Sequence, residues 1–189
     1  ITSEVTLGTF KENDVIQVQF AGVWDDCSSG SHPSWVIDGF SAQLLPMIIQ
    51  EFSDGDGGFT VENSDPAPPG PWAYDAANGL WVADGSDTES GGPYHSLLSS
   101  PAFTAPQDDE VTLSFNHRYA FEGDFWDGGQ VRLSVNGGEF TTVPAENFTA
   151  NGYDGVLTGN GILNGQPVFN GTSAGYADSE FITSSAVLG

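Results

Sequence analysis

The stretch EVTLSFNHRYAF, residues 110–121, alternates one residue at a time, with Val111, Leu113 and Phe115 on one side and Thr112, Ser114 and Asn116 on the other. A period of two sends successive side chains to opposite faces of a sheet and does not fit the 3.6-residue period of a helix. DVIQVQFAGVW, residues 14–24, repeats the pattern, setting Ile16, Val18 and Phe20 against Val15, Gln17 and Gln19. Turn formers cut every such run short, and the 25 Gly and 11 Pro leave no helical pattern longer than two turns. Ten or more short strands with irregular turns predict an all-β fold, a two-sheet antiparallel jelly-roll sandwich. A chain of 189 residues suits one domain, and at that size about 70% of the unfolded surface is buried without help from disulfides or metals.

Punctuation divides the chain. PMIIQEFSDGDGG, residues 46–58, combines a proline, a short apolar run and a Gly/Asp cluster, and reads as a linker. SDPAPPGP, residues 64–71, cannot lie inside a sheet. QVRLSVNGGEFTTVP reads as a hairpin turning at Asn136-Gly137, because both residues tolerate positive φ. The Gly- and Asn-rich region after residue 150 holds only short β segments.

Charge narrows the partners. The net charge of −23 arises from 26 acidic residues against Lys11, Arg118 and Arg132. Such a field repels nucleic acid and anionic membrane surfaces. No run approaches the 18 apolar residues of a membrane-spanning helix, so membrane insertion is not expected. Cys27 has no second cysteine to pair with inside the chain.

No catalytic constellation is visible. His32, His95 and His117 are scattered, without the HExxH spacing of zinc peptidases, and no GxSxG precedes a helix. Glu122 and Asp127 form an acid pair of glycosidase type that nothing else supports, so the chain is not read as an enzyme. The same acids suit structural Ca²⁺, which takes six to eight oxygens from carboxylates and turn carbonyls. FEGDFWDGG sets Glu122, Asp124 and Asp127 among glycines; ADGSDTESGG offers Asp84, Asp87 and Glu89; SDGDGG, with Asp54 and Asp56, is a third, weaker candidate. The competing reading is that these acids accept hydrogen bonds from backbone N–H groups in turns. Among the five tryptophans, Trp72 with Tyr74, beside the proline-rich loop, is the pair expected to be exposed for sugar stacking. Asn147 and Asn170 open N-x-T sequons, acceptors in a glycosylating compartment.

The run LSFNHRYAFEGDFWDGGQVRLSVNGGEF, with SLLSSPAF upstream, resembles the jelly-roll modules related to MAM domains, including those that trail immune inhibitor A-type metallopeptidases. The closing element of such modules resembles FKENDVIQVQFAGVWDD and PSWVIDGF, which here stand first. The resemblance therefore implies a permuted module: residues 1–45 are closing strands, for this body or a neighbour's, 46–58 the linker and 59–189 the main body. It also implies that Asp38, the acid of the W-x-I-D element, joins Glu122, Asp124 and Asp127.

One segment stands twice. ITSEVTLG (1–8) and ITSSAVLG (182–189) carry the same residue at Ile1/Ile182, Thr2/Thr183, Ser3/Ser184, Leu7/Leu188 and Gly8/Gly189, an offset of 181. A period of that length points to whole domains in tandem rather than to a solenoid. The function expected is an extracellular or cell-surface structural repeat that joins copies of itself head to tail into a fibre, sheath or adhesin, by donor-strand complementation. Ile1, Val5, Leu7, Ile182, Val187 and Leu188 are the assembly residues. The alternative is a carbohydrate- or protein-binding module of a secreted enzyme or adhesin.

Overall fold

In a computed structural model the alternating runs become the central strands of two antiparallel sheets. The structure describes residues 9–25, 31–43, 48–85, 92–105, 108 and 110–188, with backbone alone for residues 43 and 48. The first sheet runs β11 (Thr141–Thr142), β10 (Gly128–Val135), β1 (Val15–Trp24), β7 (Tyr94–Ser99), β4 (Thr60–Asn63), and β8 (Phe103–Thr104) also pairs with β1. The second runs β12 (Phe148–Ala150), β15 (Ile182–Val187), β9 (Thr112–Tyr119), β2 (Trp35–Gln43), β6 (Leu80–Asp84), β5 (Gly70–Asp75), with β3 (Ile48–Gln50) also on β2. A separate ribbon pairs β13 (Gly155–Val156) with β14 (Pro167–Val168). Among the described residues the helical segments are two single 3₁₀ turns, Ala145–Asn147 and Tyr176–Asp178. The expected all-β, two-sheet antiparallel sandwich is the fold.

The core lies between the sheets and is aromatic. Trp35 meets Phe20 at 5.9 Å, Trp72 at 5.2 Å and Phe169 at 6.1 Å between ring centroids. The parity of β9 holds as read, with Leu113, Phe115, His117 and Tyr119 all buried. The alternation of β1 holds only to Val18, because its second half is buried on both faces. Ala21 and Val23, on the outer side, are roofed by Leu157, Leu163 and Val168 of the ribbon region. The Asn136-Gly137 hairpin is present, with φ of 54° and 71° and β10 folding back on β11.

Residues 9–43 contribute the middle strands of both sheets: β1 lies between β10 and β7, and β2 between β9 and β6. The segment expected as a linker is built into the body from Ile48 onward, because β3 pairs with β2 and Phe52 is buried against Phe59 at 5.3 Å.

Candidate functional site

The acids that converge are Asp25, Glu122 and Asp127, whose carboxylate oxygens lie within 4.8 Å of one another. Strand pairing brings two of them together. Val23 of β1 faces Gly128 of β10, so Asp25, two residues beyond, meets Asp127, one residue before. The Asp25 N–H donates to Asp127 Oδ1 at 2.8 Å. Glu122 arrives from the end of β9, where the Phe121 N–H is anchored on the Gly171 carbonyl at 2.8 Å. Asp127 is fully buried and the other two are half-buried.

Asn170 holds the loop between Glu122 and Asp127 closed. Its Nδ2 donates to the Glu122 carbonyl at 2.7 Å and to the Asp127 carbonyl at 2.8 Å. Its backbone N–H donates to Asp154 Oδ2 at 3.1 Å, and the Tyr119 hydroxyl donates to the same oxygen at 2.8 Å. Burial, with the Asp154 carboxylate beside it, pushes the Tyr119 phenol above its ordinary range, so it stays a donor. The clip fixes the loop without using any of the three converging carboxylates.

Of the acids expected here, Glu122 and Asp127 are brought together. Asp124 is exposed, with φ of 61°, and the carbonyls of Asp124 and Phe125 accept hydrogen bonds from Thr158 rather than facing the trio. Asp38 does not join them. It sits where the β2–β9 register shifts, beside Glu51, and desolvation followed by that neighbour's charge raises its pKa. Asp25 was missed because spacing inside one loop cannot report an acid arriving from another strand; the signal was the Trp-Asp pair closing β1, matched by Trp126-Asp127 opening β10.

The other candidates separate. Asp84 Oδ2 faces His32 Nδ1 at 2.5 Å, and Asp84 Oδ1 accepts from the Ser34 hydroxyl at 3.1 Å; Asp87 and Glu89 lie outside the described residues. Asp56 caps its own turn, accepting the Gly58 N–H at 2.9 Å. The exposed Trp72–Tyr74 pair is corrected: Trp72 points inward from β5 onto Trp35 and is 3% exposed. Tyr74 is half-buried, its hydroxyl donating to the Phe52 carbonyl at 2.5 Å. Trp126, at 44%, is the one tryptophan with an open face. Asn147 and Asn170 are buried, each with its Nδ2 already donating, Asn147 to the Val187 carbonyl at 2.8 Å. A glycan on that nitrogen does not fit the folded chain.

Ile182, Val187 and Leu188 belong to or follow β15, whereas Ile1, Val5 and Leu7 lie outside the described residues. A groove of about 560 Å³ on the outer face of the second sheet has Val36, Val82, Asp75 and Asn78 along it and Arg118 at one side. The Arg118 guanidinium stacks on Tyr176 at 5.4 Å and on Phe181 at 5.6 Å. Compared with protein-family models, with curated proteins and with solved structures, the chain matches none.

Proposed function

We propose that the chain is one repeat of an extracellular structural protein, a non-catalytic β-sandwich that joins head to tail with further copies of itself and is clamped by calcium. The observation that carries this reading is that two similar segments stand 181 residues apart and that the described residues between them form one two-sheet body. The second copy of the repeated segment is a core strand, and Leu188 at its end lines the same cavity as Thr9 and Phe10, the residues that follow the first copy. The resemblance to permuted MAM-related modules agrees with this arrangement.

The calcium part rests on the trio. One carboxylate oxygen from each of the three acids lies within 4.8 Å of the others, and one of the acids is fully buried, a grouping of hard oxygen ligands that suits a divalent cation. Each acid brings one carboxylate oxygen to the cluster, and the rest of the six to eight oxygens that Ca²⁺ takes would come from second carboxylate oxygens, backbone carbonyls and water. When bound, the ion cross-links the ends of β1 and β9 and the start of β10. Millimolar extracellular calcium saturates even a site of about 10⁻⁴ M affinity.

Sedimentation velocity over a range of protein concentrations, in calcium and in chelator, tests the assembly. Species that grow with concentration in calcium are expected; a single monomer under every condition overturns it. A second reading, recognition of a glycan or peptide, is favoured by the groove beside Arg118, where an apolar floor, polar groups and a stacked guanidinium stand together. Array binding that is lost in Arg118→Ala would support it.

A further inference from the structure

We propose that the slot between β9 and β12 is a strand-exchange joint: its second occupant is Ile1–Gly8, and the copy it displaces, Ile182–Gly189, is free to enter the same slot of a second copy of this chain. The inference rests on the assembly reading and says which segment makes the joint.

The resident strand turns Ser184, Ala186 and Leu188 inward, at 0%, 0% and 7% exposure, and Ile182 packs partly buried on the same core. Shifted by 181, the inward set becomes Ile1, Ser3, Val5 and Leu7, which differs only by Val in place of Ala. The other two differences, Glu4 for Ser185 and Thr6 for Val187, fall at half-buried positions on the outward face. A strand chosen for core position alone would share hydrophobicity, not this residue-by-residue match on one face.

The polar contacts of the slot carry over as well. Trp35 Nε1 donates to His117 Nδ1 at 3.1 Å, which leaves the proton on His117 Nε2 to reach Ser184 Oγ at 2.8 Å. The Ser184 hydroxyl in turn donates to the Asn151 carbonyl at 2.5 Å. Without a hydroxyl at this position, the buried imidazole N–H has no acceptor, and an unmet buried donor is costly. Ser3 supplies the same hydroxyl. Thr183 Oγ1 donates to Asn116 Oδ1 at 2.7 Å, a bond that Thr2 reproduces. Asn147 and Asn151 donate to the carbonyls of Val187 and Thr183, both at 2.8 Å, and the Leu188 N–H donates to Val111 at 2.8 Å, main-chain bonds that any residue makes. The bond lost is the outward one between Ser185 and Ser114.

Direction fits too. The resident strand runs toward the cavity that Leu188 shares with Thr9 and Phe10. Ile1–Gly8 in the slot runs the same way and continues covalently into Thr9, so the exchange needs no reversal of the chain. Val5 is bulkier than the fully buried Ala186, which favours the resident copy when both are intact.

Aspartate at the inward positions tests the exchange by disabling one copy at a time in the full chain. Ala186→Asp is expected to keep a cooperative melt within several degrees of the unaltered chain, because Ile1–Gly8 takes over; Val5→Asp is expected to be silent. The double variant should lose most of that stability and regain it on adding an excess of the peptide ITSEVTLG. Adding Val5→Ala to Ala186→Asp in place of the native valine should raise its melting temperature. If Ala186→Asp falls as far as the double variant, the exchange is wrong. For the second copy, the double variant mixed with the unaltered chain should sediment as a one-to-one complex through the spare strand. No complex, with Ala186→Asp still stable, overturns donation between chains. Strand replacement is read on the single chain by melting, so its failure leaves the assembly reading to its own sedimentation test.

Discussion

His117 has no exposed surface, and burial holds its pKa down to about 3, so it folds as the neutral imidazole between Trp35 and Ser184. The unfolded chain binds a proton near the ordinary histidine value and the folded chain does not. Stability is therefore full above pH ~6.5 and is lost as the pH falls toward about 3. The slope is roughly 1.4 kcal/mol per pH unit for one proton. Denaturant titrations at several pH values should show this slope reduced in His117→Gln, which is itself weaker at neutral pH by about 1–3 kcal/mol through the disrupted relay. A parallel slope in the two proteins would remove the assignment. Asp38 has the opposite sign: desolvation and Glu51 raise its carboxyl, so its contribution is present at low pH and lost as pH rises through the folded value. Asp38→Asn should raise the melting temperature near neutral pH and leave it unchanged near pH ~3. The inward position of His117 was readable from its parity with Val111, Leu113 and Phe115. Its acceptor was not, since Ser184 comes from 67 residues away.

The strands divide in the same way into what a local pattern carries and what pairing decides. The alternation of β9, the front face of β1 and the Asn136-Gly137 turn were legible because each is set by neighbours in sequence. Burial of the back of β1 was not, because its cover is a two-strand ribbon of Gly- and Asn-rich sequence with no periodicity of its own. Trp72 was placed outside by the prolines beside it, whereas the register of β5 on β6 turns it in. The glycines of the Trp-Asp-Gly-Gly run have a steric reason: a Cβ at Gly129 would stand 2.7 Å from the Trp35 ring, in the middle of the aromatic core. Gly129→Ala should cost roughly 1–3 kcal/mol by overpacking, visible as a lower denaturation midpoint. Ala at Gly123, where nothing lies within 4 Å, is the control expected to be neutral.

Across the molecule, 26 acids face three cations, and among the described residues Arg118 and Arg132 bond to hydroxyl, amide and carbonyl oxygens rather than carboxylates. Self-repulsion of this kind is relieved by any salt, whereas the calcium proposed at the Asp25–Glu122–Asp127 trio would act only as a divalent ion. The two effects separate experimentally. Calcium at a hundredfold excess over Kd should add about 2.7 kcal/mol, roughly 5–10 °C for a chain of this size, while sodium chloride at matched ionic strength adds less. Asp127→Asn keeps the acceptor for the Asp25 N–H and should abolish the calcium increment but not the salt one. A calcium increment that survives the substitution would place the ion elsewhere.

The meeting of Leu188 with Thr9 and Phe10 around one cavity has a topological meaning. A body whose last strand ends where its first begins has no intrinsic starting point: spliced there and opened at another surface loop, the same strands would form the same two sheets in a new order. In the array proposed above, each repeated segment would belong to the module before it and the module after it alike, and the boundary between modules would be a property of which sheet holds the strand and not of the covalent chain.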